Sequence, residues 1–405
     1  MTSIMPAPRL RGEPTTVGDS QYVPAASRSI EHLATPALLL DESRMARNIA
    51  RLRGRLAGLG VNLRPHLKTG KSLDVARRVM DGPAGPATVS TLREAEQFAE
   101  GGVRDILYAV GIAPGKLERV TALRRRGVDL SVVVDSLDAA HAVAKQSRIS
   151  RDPIPTLIEI DSDGHRAGVS RKASEQLVAI GRVLHEGGAL LRGVMTHAGE
   201  SYACDTVEAI SEMAERERAE AVACATVLRD AGLPAPVVSV GSTPTAHFAR
   251  DLSGVTEVRA GVFVFFDLVM AGLNVCTVDD IALSVLATVI GHQHDKGWIL
   301  VDAGWMAMSR DRGTASQKLD QGYGVVCDVD GVPYPGLIMA QANQEQGILA
   351  LRSGADAQLP QLPIGSLVRI LPNHACPTAA QHDHYKVIQT GSREIVDQWS
   401  RFRGW

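Results

Sequence analysis

Val61–Lys68, VNLRPHLK, alternates two kinds of side chain: Val61, Leu63, Pro65 and Leu67 fall on one side, Asn62, Arg64, His66 and Lys68 on the other. Successive strand residues point to opposite faces, so the apolar side must pack on helices while the polar side points into the fold. Seven further strands are expected at 87–90, 105–110, 130–134, 156–161, 191–197, 236–241 and 256–264, with helical patterns between them. One helix is expected at 43–58, opened by Asp41 and Ser43 and closed by Gly58 or Gly60, and another at 206–231. Eight β/α units within roughly 230 residues predict an α/β fold, a (β/α)₈ TIM barrel. An open doubly wound sheet is disfavoured because no G-x-G-x-x-G follows the first strand.

After about Asp279 the pattern changes to period-2 runs broken by Gly, Pro and Asp: ALSVLATVIG, GWILVDAG, YGVVCDVDG, GILALRSG, SLVRILPNHAC and HYKVI. These predict a C-terminal all-β domain. The expected divisions are a loose N-terminal tail at 1–33, the barrel at 34–278 and the β domain at 279–405. The segment 34–41, ATPALLLD, reads as a strand able to pair with either domain.

The chain has 405 residues, of which 45% are hydrophobic and 22% charged, with a net charge of −2. This composition excludes disorder, collagen and coiled coil, and it gives no electrostatic footprint for nucleic acid or an anionic membrane. The expected partner is a small molecule. The longest apolar stretch, Ile281 to Gly291, is shorter than the roughly 20 residues that span a bilayer. The opening MTSIMPAPRLRGEPTT lacks an apolar core for a signal peptide, so a cytoplasmic protein is expected. Five cysteines without a C-x-x-C pair indicate neither a disulfide framework nor a Cys-rich zinc module.

Lys68 falls at the C-terminal end of its strand, where barrels build active sites, and a desolvated lysine there can serve as an imine-forming nucleophile or a base. The plainer alternative is a lysine that snorkels to solvent, and Lys71 is a weaker rival. The same mouth is expected to collect Glu159, Asp161, DGHR (163–166), Thr196, His197 and AGESY. GSTPT (241–245) offers N–H groups and hydroxyls to a phosphate, although it also reads as an ordinary turn and helix cap. Arg259, if buried, needs a partner, and Gly261 exposes backbone beside it. In the second domain His374 and Cys376 stand at i, i+2, so on an extended segment they share a face. Imidazole and thiolate suit Zn²⁺ and leave positions open for water and substrate. An inert thiol beside a strand-end histidine is the bland alternative, and a closed structural site adding His382 and His384 is another.

Several blocks in one order carry more information than any of these motifs: RPHLKT, TVSTLREAEQF, DILYAV, IEIDSDGHRAGV, THAGESY, VVSVGSTPT, TEVRAGVFVFFDLVM, VDAGWMAMSRDRGT and ILPNHAC. Over roughly 34–405 they resemble the fold-type III, alanine racemase-like pyridoxal-phosphate enzymes, in the metal-dependent D-serine dehydratase and D-threonine aldolase branch. The resemblance implies pyridoxal 5'-phosphate held as a Schiff base on Lys68, which also acts as general base. It implies cofactor contacts from His66, Arg166, His197, Tyr202, Ser242, Thr243, Arg259, Gly261 and Val262. Arg259 stands where alanine racemase sets an arginine against the pyridine nitrogen, with Tyr202 the alternative for that contact. His374 and Cys376 would hold a divalent metal, Zn²⁺ first, Mn²⁺ or Mg²⁺ otherwise.

The aldolase branch has an aspartate where Cys376 stands, which favours a dehydratase. The implied reaction is ammonia elimination from a D-3-hydroxy amino acid: 3-hydroxy-D-aspartate to oxaloacetate foremost, D-serine to pyruvate second. Competing readings are a D-3-hydroxy-amino-acid aldolase, a racemase and a non-catalytic pyridoxal-phosphate carrier. Arg310 or Arg312 is the expected counter-ion of a second substrate carboxylate, and Tyr323 and Gln344 are further candidates at the substrate. The chain departs from the family pattern at Asn343-Gln344-Glu345-Gln346-Gly347, where a histidine is expected in place of Gln346. A homodimer in which each β domain completes its neighbour's site is also implied.

Overall fold

A computed structural model describes residues 28–164 and 167–405. Strand β1 (Ala37–Asp41) leads into helix α1 (Glu42–Gly58), whose first turn is capped by the Asp41 carboxylate accepting from Arg44 N at 3.0 Å. Met45, Ile49, Leu52 and Leu56 recur at helical spacing and are buried, so α1 covers the barrel wall with one apolar stripe. The wall itself consists of β2 (Asn62–Pro65), β3 (Ala87–Val89), β4 (Asp105–Gly111), β5 (Asp129–Val134), β6 (Pro155–Asp161), a two-residue β7 (Val169–Ser170) paired to β6, β8 (Leu190–Thr196), β9 (Val237–Val240) and β10 (Glu257–Ala260). The order β2-β10-β9-β8-β6-β5-β4-β3 is parallel throughout, and a bridge from His66 to Thr88 joins its two ends. This is the expected eight-stranded barrel, with α2 (Leu73–Val79), α3 (Leu92–Glu100), α4 (Leu117–Arg125), α5 (Leu137–Ser150), α6 (Ser174–Glu186), α7 (Val207–Asp230) and α8 (Thr243–Phe248) between its strands and the short α9 (Leu268–Gly272) and α10 (Trp305–Met308) further along the chain.

Its interior is layered. At the N-terminal end Arg64 points inward, as the alternation requires, and bonds Asp105 at 2.7 Å and Glu257 at 2.6 Å. Above it Leu107, Val133, Leu157 and Met195 form an apolar plug. Two strands are shorter than the sequence implies. The first ends at Pro65, and residues 67–70 turn, so Lys68 lies just past the strand. The last ends at Ala260, and Val262–Val264 form a 3₁₀ turn.

The second sheet is built from β11 (Leu283–Gln293), β12 (Trp298–Val301), β13 (Gly324–Cys327), β14 (Pro333–Ala342), β15 (Gly347–Leu351), β16 (Leu367–Pro372), β17 (His384–Ile388) and β18 (Asp397–Ser400). Its order is β12-β15-β14-β13-β16-β11-β1-β17-β18, so the 34–41 segment belongs to this sheet: β1 is antiparallel to β11 and parallel to β17. Two strands escape the sequence pattern. Pro333, Pro335 and Gly336 mask β14, and β18 is a four-residue edge, Asp-Gln-Trp-Ser, in which only Trp399 is buried. The expected tail also ends early. Ile30 is fully buried against Ala37, Leu39, Leu286 and Ile388, and Ser29 bridges Glu394, while 1–27 lie outside the described residues. Among the described residues, no helix is long and apolar enough to cross a membrane.

Candidate active site

At the C-terminal mouth of the barrel a cavity of about 400 Å³ is lined by residues of both domains, among them Lys68, His197, Tyr202, Arg259, His374 and Cys376. Lys68 is exposed and is the one lysine in this lining, in a turn anchored by a bond from its own N–H to His66 Nδ1 at 3.4 Å. Lys71, its rival, is paired with the buried Glu94 carboxylate at 3.1 Å.

Part of the cavity wall, formed by Ser242, Thr243, Gly261 and Val262, is a candidate anion cradle. Ser242 caps the short helix α8 (Thr243–Phe248) in a capping box, and its hydroxyl is taken up by Thr245 and Ser201. Thr243 differs: its Oγ1 is buried, lines the cavity and has no hydrogen-bond partner among the described residues. Val262 opens the 3₁₀ turn, whose first N–H groups lack intrahelical acceptors. Gly261 keeps the floor open, since a Cβ there would lie 3.0 Å from His66 O. Beneath the cradle the buried Glu217 accepts from Ala198 N and Gly241 N, both at 2.9 Å, fixing the two turns that form it. Burial holds the Glu217 carboxyl above its ordinary pKa.

Arg259 is buried and donates to Ser239 Oγ and Thr196 O. Burial lowers its pKa, opposed by the nearby Glu257, Glu217 and Glu159 carboxylates. The Tyr202 hydroxyl is pushed upward by burial and by the Cys376 and Asp267 charges. The His197 ring lies 6.3 Å from that of Tyr202, with Nδ1 and Gly241 O 2.9 Å apart.

His374 and Cys376 meet by a different local geometry from the one expected. The segment is not extended: His374 is the N-cap of helix α11 (Ala375–Ala380), and Cys376 sits in its first turn. The two side chains still touch. Burial disfavours the imidazolium, but the Cys376 thiolate and Asp311 outweigh it and push the His374 pKa up to about 11. Burial likewise works against the Cys376 thiolate, and His374, Lys68 and the Thr69 hydroxyl bring its pKa down. His374 Nδ1 donates to Asp311 Oδ2 at 2.8 Å, which orients the ring, and Thr69 Oγ1 lies 3.2 Å from Cys376 Sγ.

Two acidic residues were missed by sequence reasoning. Asp311 stands between Arg310 and Arg312, where the arginines drew attention as cations. Asp267 is buried, accepts from Met270 N and from Ala375 N at 2.9 Å each, and so fastens the start of α11 to the barrel. Its N-cap position ahead of LVMAG was the available signal.

Arg310, Arg312, Tyr323 and Gln344 are not among the lining residues. Arg310 lies over the Trp305 ring at 4.9 Å, while Arg312 bonds Asp320 at 2.5 Å and covers Tyr323 at 5.4 Å. Gln344 and Gln346 belong to the turn joining β14 to β15, where Asn343 N donates to Gln346 O. The closed site does not form: His382 Nε2 pairs with Ala307 O at 3.0 Å, and no group of three metal-ligating side chains occurs among the described residues. Asp161 and Asp163 line a separate surface hollow, and Arg166 lies outside the described residues.

Comparison with known proteins finds matches to both domains. A family profile described as alanine racemase, N-terminal domain, matches residues 40–269, and one for a serine dehydratase domain matches 282–388. D-threo-3-hydroxyaspartate dehydratase of Delftia sp. (strain HT23) is 56% identical over 375 residues, 92% of this chain and 98% of that protein. D-serine dehydratase of Dictyostelium discoideum is 29% identical over 397 residues, 93% of this chain and 98% of its own. A solved structure of a D-threo-3-hydroxyaspartate dehydratase, a cysteine-to-alanine variant in the metal-free form, superposes with a TM-score of 0.90 at 56% identity, covering 93% of this chain and 100% of that one.

Proposed function

The chain belongs to the alanine racemase-like family of pyridoxal-phosphate enzymes, in the group that joins such a barrel to a serine dehydratase domain, and from this we propose a D-3-hydroxy-amino-acid dehydratase. It is a lyase that releases ammonia, with D-threo-3-hydroxyaspartate, giving oxaloacetate, as its foremost substrate and D-serine, giving pyruvate, as a second. The observation that carries this reading is one cavity holding both an accessible lysine and an adjacent imidazole–thiol pair.

The residues present fit both groups. The orphaned Thr243 hydroxyl, the Val262 end of the 3₁₀ turn and the open floor at Gly261 suit a phosphate. His374 and Cys376 supply borderline-soft donors for a divalent cation, with Zn²⁺ favoured and Mn²⁺ or Mg²⁺ as alternatives, and two protein donors leave positions for water and substrate. When bound, the cofactor supplies an electron sink for the substrate α-carbon and the cation a Lewis acid for the departing hydroxyl.

The protein's own groups do the rest. Lys68 Nζ would hold the cofactor aldehyde, and the same amine is the group in the cavity proposed to accept the substrate α-proton. His197, Tyr202 and Arg259 line the same cavity, and Arg259, or Tyr202 in its place, would hold the pyridine nitrogen. Asp311 keeps the His374 ring turned so that Nδ1 carries the proton and Nε2 is available as a donor atom. We also propose a homodimer, which the family resemblance implies, in the cytoplasm; light scattering on the purified protein measures the dimer.

One assay tests the function. The purified protein is offered each D-3-hydroxy acid with and without chelator, while ammonia, oxaloacetate, pyruvate and glycine are followed. Chelator-sensitive oxaloacetate and ammonia are expected. Glycine would reveal an aldolase, and turnover unaffected by chelation would remove the metal from the scheme.

A further inference from the structure

Beyond His374 and Cys376 the cavity continues into a second chamber of about 680 Å³, whose walls bring in Lys71, Glu94, Tyr108, Lys116 and Arg119. Its charges can be matched one by one. Lys71 pairs with Glu94 at 3.1 Å, Arg119 with Glu96 at 2.9 Å and with the C-terminal Trp405 O at 3.5 Å, and Asp311 with His374 at 2.8 Å. Apart from Lys68, this leaves Lys116, which makes no ion pair among the described residues. Its ammonium is steered by the hydroxyl of the buried Tyr108, 3.2 Å away, and it sits in the turn that follows β4 at the same barrel mouth as Lys68.

We propose that Lys116 forms a carboxylate subsite that receives the distal carboxylate of a dicarboxylic substrate. The inference rests on the dehydratase reading and deepens it. In 3-hydroxy-D-aspartate the leaving hydroxyl and the distal carboxylate share one carbon, so a hydroxyl placed at the His374–Cys376 pair sets the carboxylate at the entrance of this chamber. In D-serine a hydrogen stands there instead. A cation with two N–H groups left after its bond to Tyr108 matches that anion. Arg310 and Arg312, the cations the sequence favours, are turned to Trp305 and Asp320.

The test compares Lys116→Met with the unaltered holoenzyme on 3-hydroxy-D-aspartate and D-serine, and measures succinate as a competitive inhibitor of hydroxyaspartate elimination. Lys116 is exposed, so folding does not depend on it. The expected result is a loss of about 10- to 100-fold in kcat/KM for hydroxyaspartate, carried mainly by KM, with D-serine within about two-fold and a matching rise in the succinate inhibition constant. Lys116→Arg should recover much of the loss, and Lys116→Glu should deepen it. An equal loss on both substrates, or none on hydroxyaspartate with unchanged succinate inhibition, overturns the subsite. If the unaltered enzyme eliminates ammonia from neither substrate, the dehydratase reading itself has failed, which is seen before any variant is made.

Discussion

His247 gives the most quantitative prediction. It lies on α8 directly behind the anion cradle, with Nδ1 donating to Thr243 O at 2.8 Å and its ring edge against Phe266 at 5.5 Å. Nε2 is buried without a hydrogen-bond partner among the described residues. Burial holds its pKa down to about 4 from 6.5, assisted by Arg51 and Arg55 and opposed by Asp280. The folded state therefore keeps this ring neutral where the unfolded chain would already take a proton. Stability from the neutral ring is fully present above about pH 6.5 and is lost as pH falls through about 4. At 1.36 kcal/mol per pH unit over that interval the loss is about 3 kcal/mol. His247→Asn keeps a side-chain donor but does not titrate. Urea unfolding of both proteins, followed by tryptophan fluorescence in steps from pH 7.5 to 4, should show the native advantage over the variant shrinking by that amount as the solution is acidified. A difference that stays constant across the series would refute the reasoning, because the buried imidazole would then not be the linked group.

Three further perturbations follow from the site. Arg401→Ala removes a buried guanidinium that donates to Gly70 O, Tyr385 Oη, His382 O and Ala379 O; it should lower stability by about 2–4 kcal/mol in denaturant titration and raise the cation concentration needed for half-maximal activity. Asp311→Asn should weaken cation binding about 10- to 100-fold in a competition titration with a chromophoric chelator, while the unfolding midpoint moves little. Thr243→Val should weaken pyridoxal-phosphate binding about ten-fold by absorbance titration, while the cofactor-free protein is as stable as before or more so, since an unsatisfied buried hydroxyl has been removed.

The barrel was legible because its inward and outward faces differ chemically at every strand: Arg64 with its carboxylate partners on one side of VNLRPHLK, Val61 and Leu63 packed outward on the other. The same alternation misled at the strand's end. Residues keep an apolar–polar rhythm through Leu67 and Lys68 although the backbone has already turned, since periodicity records side-chain environment and not hydrogen bonding. β14 was hidden because Pro333, Pro335 and Gly336 are turn formers in sequence, yet are tolerated where strand pairing is interrupted, as the register shift between the Val325–Ile338 and Cys327–Pro333 pairs shows. Of the site, Lys68, His374, Cys376 and the cradle were readable as residue types, and the geometry joins them. The part played by Asp311 was not readable. A carboxylate between two arginines looks neutralised by its neighbours, whereas in the fold the arginines turn to Trp305 and Asp320 and leave it for His374.

The lysine and the imidazole–thiol pair come from opposite domains, so their spacing depends on how firmly the domains are joined. The chain fastens them at the reacting segments themselves. Asp267 of the barrel accepts from Ala375 N, between the two candidate ligands, and Thr69, the residue after Lys68, touches Cys376. Gly70 O, in the same turn, accepts from Tyr385 Oη at 2.7 Å and from Arg401, whose guanidinium also reaches the carbonyls at the end of α11. Phe402 N donates to Lys71 O at 2.6 Å. Each of these bonds is worth only about 1 kcal/mol net, but leaving its buried partner unsatisfied costs more. A shift of α11 relative to Lys68 would break several together. Because β1 begins in the second sheet and runs directly into α1 of the barrel, the covalent path crosses the same joint. A barrel separated from its β domain would keep the lysine and the cradle but lose both candidate cation ligands, together with the bonds that hold the lysine turn in place.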